Sequence, residues 1–183
     1  MLKFALLGLL HYRPLTGYEL KQIMDESTSN FWHAELSQIY ATLKRLEQDG
    51  AVESHVEPQT DRPDRRVYNM TSAGQAALDG WLSTPVTKLQ PGKDLVLLKL
   101  FFSAALSKEA VLAQLRLQRD LHRMQGDRYR EHTTAYIQAM LDEYPHLTAD
   151  GVYWEQTRRF GEMYEDMYVG WIDQAIQALE GAS

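Results

Sequence analysis

The spacing of apolar positions along the first 85 residues changes from helical to alternating and back, and those changes delimit the elements. Leu2, Ala5, Leu6, Leu9 and Leu10 recur at intervals that share one helix face, and Pro14 stops the run, so a helix is expected over residues 2–12. Thr16 followed by Glu19 has the form of a capping box, in which hydroxyl and carboxylate each take the other residue's amide. TGYELKQIMDES therefore reads as a second helix burying Leu20, Ile23 and Met24. After the connector STSNFWHAE, Ser37 is the expected cap of a third helix that runs to about Asp49 and ends at Gly50. Val52, Ser54 and Val56 then alternate with Glu53, His55 and Glu57, and Val67 and Tyr68 lie in a second short run, which predicts a hairpin. Its connection, PQTDRPDR, is too long and polar for a tight turn and should project into solvent. A fourth helix over residues 72–82, presenting Ala77, Leu78, Trp81 and Leu82, is closed by Pro85.

Residues 86–93 turn to Thr, Lys, Gln, Pro and Gly, a linker that sets the expected domain boundary: 1–85 as one domain and 86–183 as a second. Beyond it the pattern is helical throughout. Asp94 caps DLVLLKLFFSAAL, Ser107 opens a long helix to about Tyr144, Pro145 breaks it, and a last helix runs from about Thr148 to Leu179. At 1.5 Å per residue the last two helices would be roughly 45 to 55 Å long, more than a small domain uses internally, so they are expected to pack on a second subunit. The fold class is thus mainly α with a small β-hairpin.

Composition narrows the choices. The chain has no cysteine, which removes a disulfide framework, a thiol nucleophile and a zinc finger. The apolar start MLKFALLGLL lacks a cleavage pattern, and no run reaches the roughly 20 residues of a membrane span, so a cytoplasmic protein without a membrane partner is expected. His122, His132 and His146 have no local spacing or carboxylate arrangement that would orient them on a metal, and they are assigned to surface or polar packing. No glycine-rich phosphate loop or catalytic constellation is placed by a motif, so no enzyme activity, cofactor or metal is expected. The net charge of −6 works against nucleic-acid binding, and division after Pro85 leaves both parts acidic. A DNA-binding reading must rest on where the basic residues sit.

Their placement supports it. Helix, helix, helix, hairpin, helix is the order of a winged helix-turn-helix, whose third helix enters the major groove. On that helix Ile39, Leu43 and Leu46 form the buried stripe. Ser37, Ala41, Lys44 and Gln48 point away from it, flanked by Gln38, Tyr40 and Arg45. Amides and arginine suit base edges, whereas Lys, Tyr and Ser suit phosphates. Taken alone, Lys44, Arg45 and Glu47 read first as the ordinary charges of a solvated helix face. Arg62, Arg65 and Arg66 on the same hairpin add a wing, the alternative for each being a pair with Asp61 or Asp64.

The segments LLGLL and PLTGYEL, then FWHAELSQIYATLKRLEQDGAV, then DRRVYNMTSAGQAAL closely resemble, in order and spacing, the PadR family of transcriptional regulators, over residues 4 to about 82. The helices after them resemble, by length and helicity, the C-terminal part of its virulence-activator-like group. The resemblance implies a homodimer on double-stranded DNA with an inverted-repeat operator, usually a repressor, often released by a small aromatic or apolar effector. By motif match it places Tyr18 and Tyr40 near the DNA backbone, Lys44 in the recognition helix, and Arg65, Arg66 and Tyr68 in the wing. Asp61 and Asp64 stand where many relatives carry glycine and basic residues, which weakens the expected wing contact.

In the last helix Phe160, Tyr164, Met167 and Trp171 form an a/d-like seam, with Ile172, Ile176 and Leu179 alongside; Leu117, Leu121 and Met124 make a similar seam in the helix before it. An antiparallel helix pair completed by the same pair of a second chain follows, with GDRYREHTT, residues 126–134, too polar for core. The same aromatic residues also suit an effector pocket near Trp154 or Trp171. A different class of function, an acidic winged-helix adaptor that binds protein, would require an apolar outward face on the third helix.

Overall fold

The computed structural model of the chain describes residues 1–28, 32–58, 64–89 and 92–181. It divides into two units, Met1–Leu89 and Gln90–Ser183.

In the first unit α1 (Leu2–Tyr12) is followed by β1 (Leu15–Thr16) and α2 (Gly17–Ser27). The Thr16 hydroxyl accepts the Glu19 amide at 3.1 Å and the Glu19 carboxylate accepts the Thr16 amide at 2.8 Å, the reciprocal cap expected of this pair. The next helix, α3 (Leu36–Gln48), starts before the expected cap Ser37: Glu35 is its cap, and the Gln38 side-chain carbonyl accepts the Glu35 amide at 2.9 Å. Ser37 therefore lies inside the first turn with its side chain exposed. Gly50, at φ 70°, ends the segment in the left-handed region that glycine enters without steric cost.

Strands β2 (Val52–Glu57) and β3 (Arg65–Met70) pair antiparallel from Val52↔Met70 to Glu57↔Arg65. Strand β1, too short to show a period in the sequence, adds to the other edge of β3 through Leu15↔Tyr68 and Thr16↔Val67, so the hairpin becomes a three-stranded sheet of order β1-β3-β2. Helix α4 (Ser72–Leu82) follows, its Gly74 amide donating to the Thr71 hydroxyl at 3.1 Å. Leu6, Leu10, Leu20, Ile39, Leu43 and Leu46 join Leu15, Val52, Tyr68 and Leu78 in one core. Full burial of each large aliphatic side chain contributes about 1.5 to 3 kcal/mol, which makes this the force that holds α3 with its opposite face outward.

The second unit comprises α5 (Leu95–Phe101), a 3₁₀ turn at Ser103–Ala105, α6 (Lys108–Arg128), α7 (Thr134–Glu143), a second 3₁₀ turn at Pro145–Leu147 and α8 (Thr148–Gly181). The single helix expected up to Tyr144 is interrupted by a π turn at Tyr129–Thr133. Within the stretch judged too polar for core, Gly126, Tyr129 and Thr133 are buried. Widening a helix frees backbone carbonyls, and that of Tyr129 is taken up by Arg158 and by the Thr134 hydroxyl, each at 3.2 Å. Helices α6 and α8 pack through Val111, Leu112, Leu115, Tyr168, Ile172 and Ile176. Ile172 and Ile176, expected alongside an intersubunit seam, are thus core of their own chain, and Leu179 packs against the same cluster.

His122 does have an orienting carboxylate, contrary to expectation: its Nδ1 is hydrogen-bonded to the buried Glu165, and its ring stacks on Tyr168 with centroids 3.9 Å apart. One oxygen of Asp94 caps α5 by accepting the Leu97 amide at 2.9 Å; the other accepts the Tyr168 hydroxyl at 2.7 Å. Burial and this carboxylate partner push the Tyr168 phenol well above its ordinary range. Among the described residues no group of three or more metal-ligating side chains is present, and no helix is long and apolar enough to cross a membrane.

Candidate nucleic-acid interface

Because Ile39, Leu43 and Leu46 are pinned in the core, helical geometry turns Ser37, Gln38, Tyr40, Ala41, Lys44, Arg45 and Gln48 to the surface, and all seven are exposed. Lys44 and Arg45 have no ion pair among the described residues, so their charge faces solvent uncompensated. Gln38 has its carbonyl committed to the helix cap and keeps its amide group as donor. Tyr40, 46% exposed, lies across the start of α2: a Cβ on Gly17 would come within 2.5 Å of its ring. Tyr18 follows, also exposed, at 59%. The absent side chain at position 17 therefore lets the phenol of α3 rest on the first turn of α2.

The wing differs from the expectation in three respects. Arg62 lies outside the described residues. Tyr68 is only 5% exposed and packs in the core, which leaves its ring little surface to offer a ligand at the wing, and burial pushes its phenol above the ordinary value. Arg65 and Arg66 are at the surface but engaged. Arg65 donates to Glu19 on α2 at 3.1 Å, where Arg13 also approaches to 4.0 Å. Arg66 donates to both oxygens of Glu47 on α3, at 2.9 and 3.0 Å, and through Nε to the Ser54 hydroxyl at 2.8 Å. Ser54 donates in turn to Glu47 at 2.5 Å. That hydrogen bond, set against some desolvation and aided by Arg66, holds the Glu47 carboxyl below its ordinary value. Burial acts to raise Glu19, but the Thr16 amide and side chain, with Arg65 and Arg13, bring it below its ordinary value as well.

Glu19, Glu47 and Ser54 are thus site residues that sequence reasoning missed as such. The motif that assigned Glu19 to a cap carries no sign of an arginine 46 residues away.

On α8 the four expected seam residues separate. Phe160 is 67% exposed and Met167 56% exposed, with Tyr164 also exposed, whereas Trp171 is half-buried against the α6–α8 core. Trp154, the other effector candidate, is half-buried on the same helix. Leu117, Leu121 and Met124 on α6 are exposed.

A core of three helices, the third presenting uncompensated cations beside a hairpin, is a winged helix-turn-helix, an architecture that binds duplex DNA. Comparison with known proteins agrees with that class. The model of the transcriptional regulator PadR-like family matches residues 6–80, and that of the virulence activator alpha C-terminal region matches residues 93–180. The chain thus carries a PadR-like regulator domain followed by a virulence activator alpha C-terminal region, and the curated relatives are transcriptional regulators rather than enzymes. The negative transcriptional regulator PadR of Bacillus subtilis (strain 168) is 33% identical over 109 residues, 60% of each chain. The Rv1176c protein of Mycobacterium tuberculosis is 36% identical over 92 residues, 50% of this chain and 49% of that one. The matched region thus spans half to three-fifths of the length of these curated relatives. Among solved structures, Bacillus subtilis PadR in complex with operator DNA superimposes with a TM-score of 0.83 at 24% identity, over 97% of both chains. PadR in complex with p-coumaric acid gives 0.75 at 25% identity, over 98% of both.

Proposed function

We propose that the protein regulates transcription in the cytoplasm by binding an inverted-repeat operator as a homodimer, with α3 of each protomer in the major groove. The observation that carries this reading is the outward face of α3, where Lys44 and Arg45 stand exposed and unpaired beside Gln38, Tyr40 and Ser37, although the chain as a whole is acidic. In this reading Gln38 and Arg45 address base edges, and Lys44, Tyr40, Ser37 and Tyr18 hold phosphates. An adaptor that docks protein would need an apolar face there, and the face is polar apart from Ala41 and the Tyr40 ring.

The relative is named a negative regulator, which supports repression, and it has been captured both with operator DNA and with an aromatic acid. A small aromatic effector acting near Trp154 or Trp171 on α8 fits that chemistry. The exposed Phe160, Tyr164 and Met167 on α8 supply an apolar face for the second protomer.

The test is to select fragments bound by the purified protein from its source genome, then titrate the enriched duplex with wild type and with Lys44→Ala across a salt series. Wild type should enrich a two-fold-related sequence. Lys44→Ala should bind it more weakly with a salt slope lower by about one unit, the loss of one phosphate contact, and unchanged thermal unfolding. Failure to enrich any sequence refutes the reading.

A further inference from the structure

The cations of α3 and β3 fall into two groups. Lys44 and Arg45 on α3 are uncompensated, whereas both described arginines of β3 are held by carboxylates from the helices behind them: Arg66 by Glu47 and Ser54, Arg65 by Glu19. Neither carboxylate is a local neighbour on the hairpin. Glu47 is in the last turn of α3 and Glu19 in the first turn of α2, so each pair ties the wing to a different helix.

We propose that Glu47 and Glu19 latch the wing arginines and so hold down the protein's affinity for DNA, operator and non-operator alike; the proposal rests on the DNA-binding reading above. Non-specific affinity comes almost entirely from neutralising phosphates with mobile positive charge. The Arg66 guanidinium, facing Glu47, brings no net charge to that exchange, whereas Glu19 is shared by Arg65 and Arg13 and compensates them only in part. Moving Arg66 onto a phosphate leaves an uncompensated carboxylate in the field of a polyanion. Only when α3 is seated in the groove, with base contacts fixing the wing against the backbone, does phosphate displace the carboxylate. The latch thereby keeps the wing out of complexes in which α3 is not seated, and it weakens the seated complex by the cost of displacing the carboxylate. As isolated surface pairs these contacts would do little for stability; their effect lies in how tightly the protein holds DNA. The buttress from Ser54, which holds one Glu47 oxygen at 2.5 Å while accepting from Arg66, fixes the latch geometry on the wing side.

The test compares wild type, Glu47→Gln and Glu47→Gln/Arg66→Ala on two duplexes of equal length, the enriched operator and a random sequence, over a salt series. Glutamine keeps one acceptor oxygen for Ser54 and Arg66 and replaces the other with an amide that cannot accept from Arg66, so it removes the charge and one hydrogen bond of the pair. Glu19→Gln is a second, independent variant, because glutamine also serves at the third position of a capping box. Glu47→Gln should bind the random duplex about eightfold more tightly at about 0.1 M salt for each wing engaged, with a slope steeper by about one unit. Operator affinity should rise at least as much, because wild type must displace the carboxylate to make that contact there, and the operator-to-random ratio should not fall. The added Arg66→Ala should abolish the gain.

Unchanged random-duplex affinity and slope in both glutamine variants would overturn the latch while leaving the DNA-binding reading intact. Operator binding weakened by Glu47→Gln would also overturn it, since Glu47 would then be positioning Arg66 for phosphate. A gain that persists without Arg66 would assign the effect to another group. A wild type that enriches no duplex refutes the DNA-binding reading itself, a result distinct from these.

Discussion

Two glycines on one helix should respond to alanine with opposite signs. A Cβ built on Gly74 would sit 2.1 Å from the Ala51 carbonyl oxygen and 2.8 Å from Met70 Cγ, whereas at Gly80 nothing lies within 4 Å. The first obstacle is backbone, so relief requires α4 to move by more than 1 Å from the segment that opens the wing. Ala51 O accepts the Thr71 amide at 3.1 Å, and the Thr71 hydroxyl donates to Gly50 O at 2.7 Å while capping α4. Losing two of these bonds costs about 1 kcal/mol each, residual overpacking about 1 to 3 kcal/mol, and the alanine helix preference returns about 1 kcal/mol. Gly74→Ala should therefore destabilise by about 2 to 4 kcal/mol, and Gly80→Ala should gain up to about 1 kcal/mol. Urea unfolding followed by circular dichroism measures both. A Gly74→Ala protein as stable as wild type would show that the contact between α4 and the wing is not as close as described, and the placement of the wing beside α3 would need revision.

Three other outcomes are expected. Glu19, Glu47 and Asp94 all have carboxyls held below their ordinary values when folded, so their stabilisation is complete above about pH 4.5 and is lost as pH falls through the lower folded values. The unfolding temperature should be flat from pH 7 to about 5 and fall below that, with a shallower acid limb in Glu47→Gln. Light scattering should give a dimer for wild type and a monomer for Phe160→Glu/Met167→Glu, since both side chains are exposed in the isolated chain; a monomeric wild type at micromolar concentration removes this role for α8. Inserting about five base pairs between operator half-sites turns one to the opposite face and should abolish tight binding; undiminished affinity would mean that the protomers bind independently.

The legible parts of the molecule were those with local causes. The cap at Thr16, the buried stripe Ile39–Leu43–Leu46 and the terminator Gly50 are each specified within one or two helical turns. Ser37 misled because serine is a better isolated cap than glutamate, and the box between Glu35 and Gln38 is recognised only when both side chains are considered. The alternation around Val67 and Tyr68 identifies a strand but not its place in the sheet. With β1 on its far edge β3 is the central strand, and Tyr68 is buried by the helices that share its core. The π turn carries no proline or glycine to mark it, and its support comes from Arg158, 29 residues away. The carboxylates on the wing arginines were illegible for the same reason: hairpin and helix meet only in the fold.

The unequal pairing of β3 along its length has a mechanical consequence. Val67 and Tyr68 have strands on both sides, whereas Arg65 and Arg66 pair only with Glu57 and Val56. The hairpin is a cantilever, clamped at its root by β1 and the core, with its outer residues strand-paired on one edge alone and tied to α2 and α3 only through the Arg65 and Arg66 side chains. Bending at those outer pairs disturbs none of the buried side chains, so the wing can follow variations in backbone height along a duplex while α3 keeps its seat. Amide exchange should record this as a gradient, slow at Val67 and Tyr68 and faster toward Arg65.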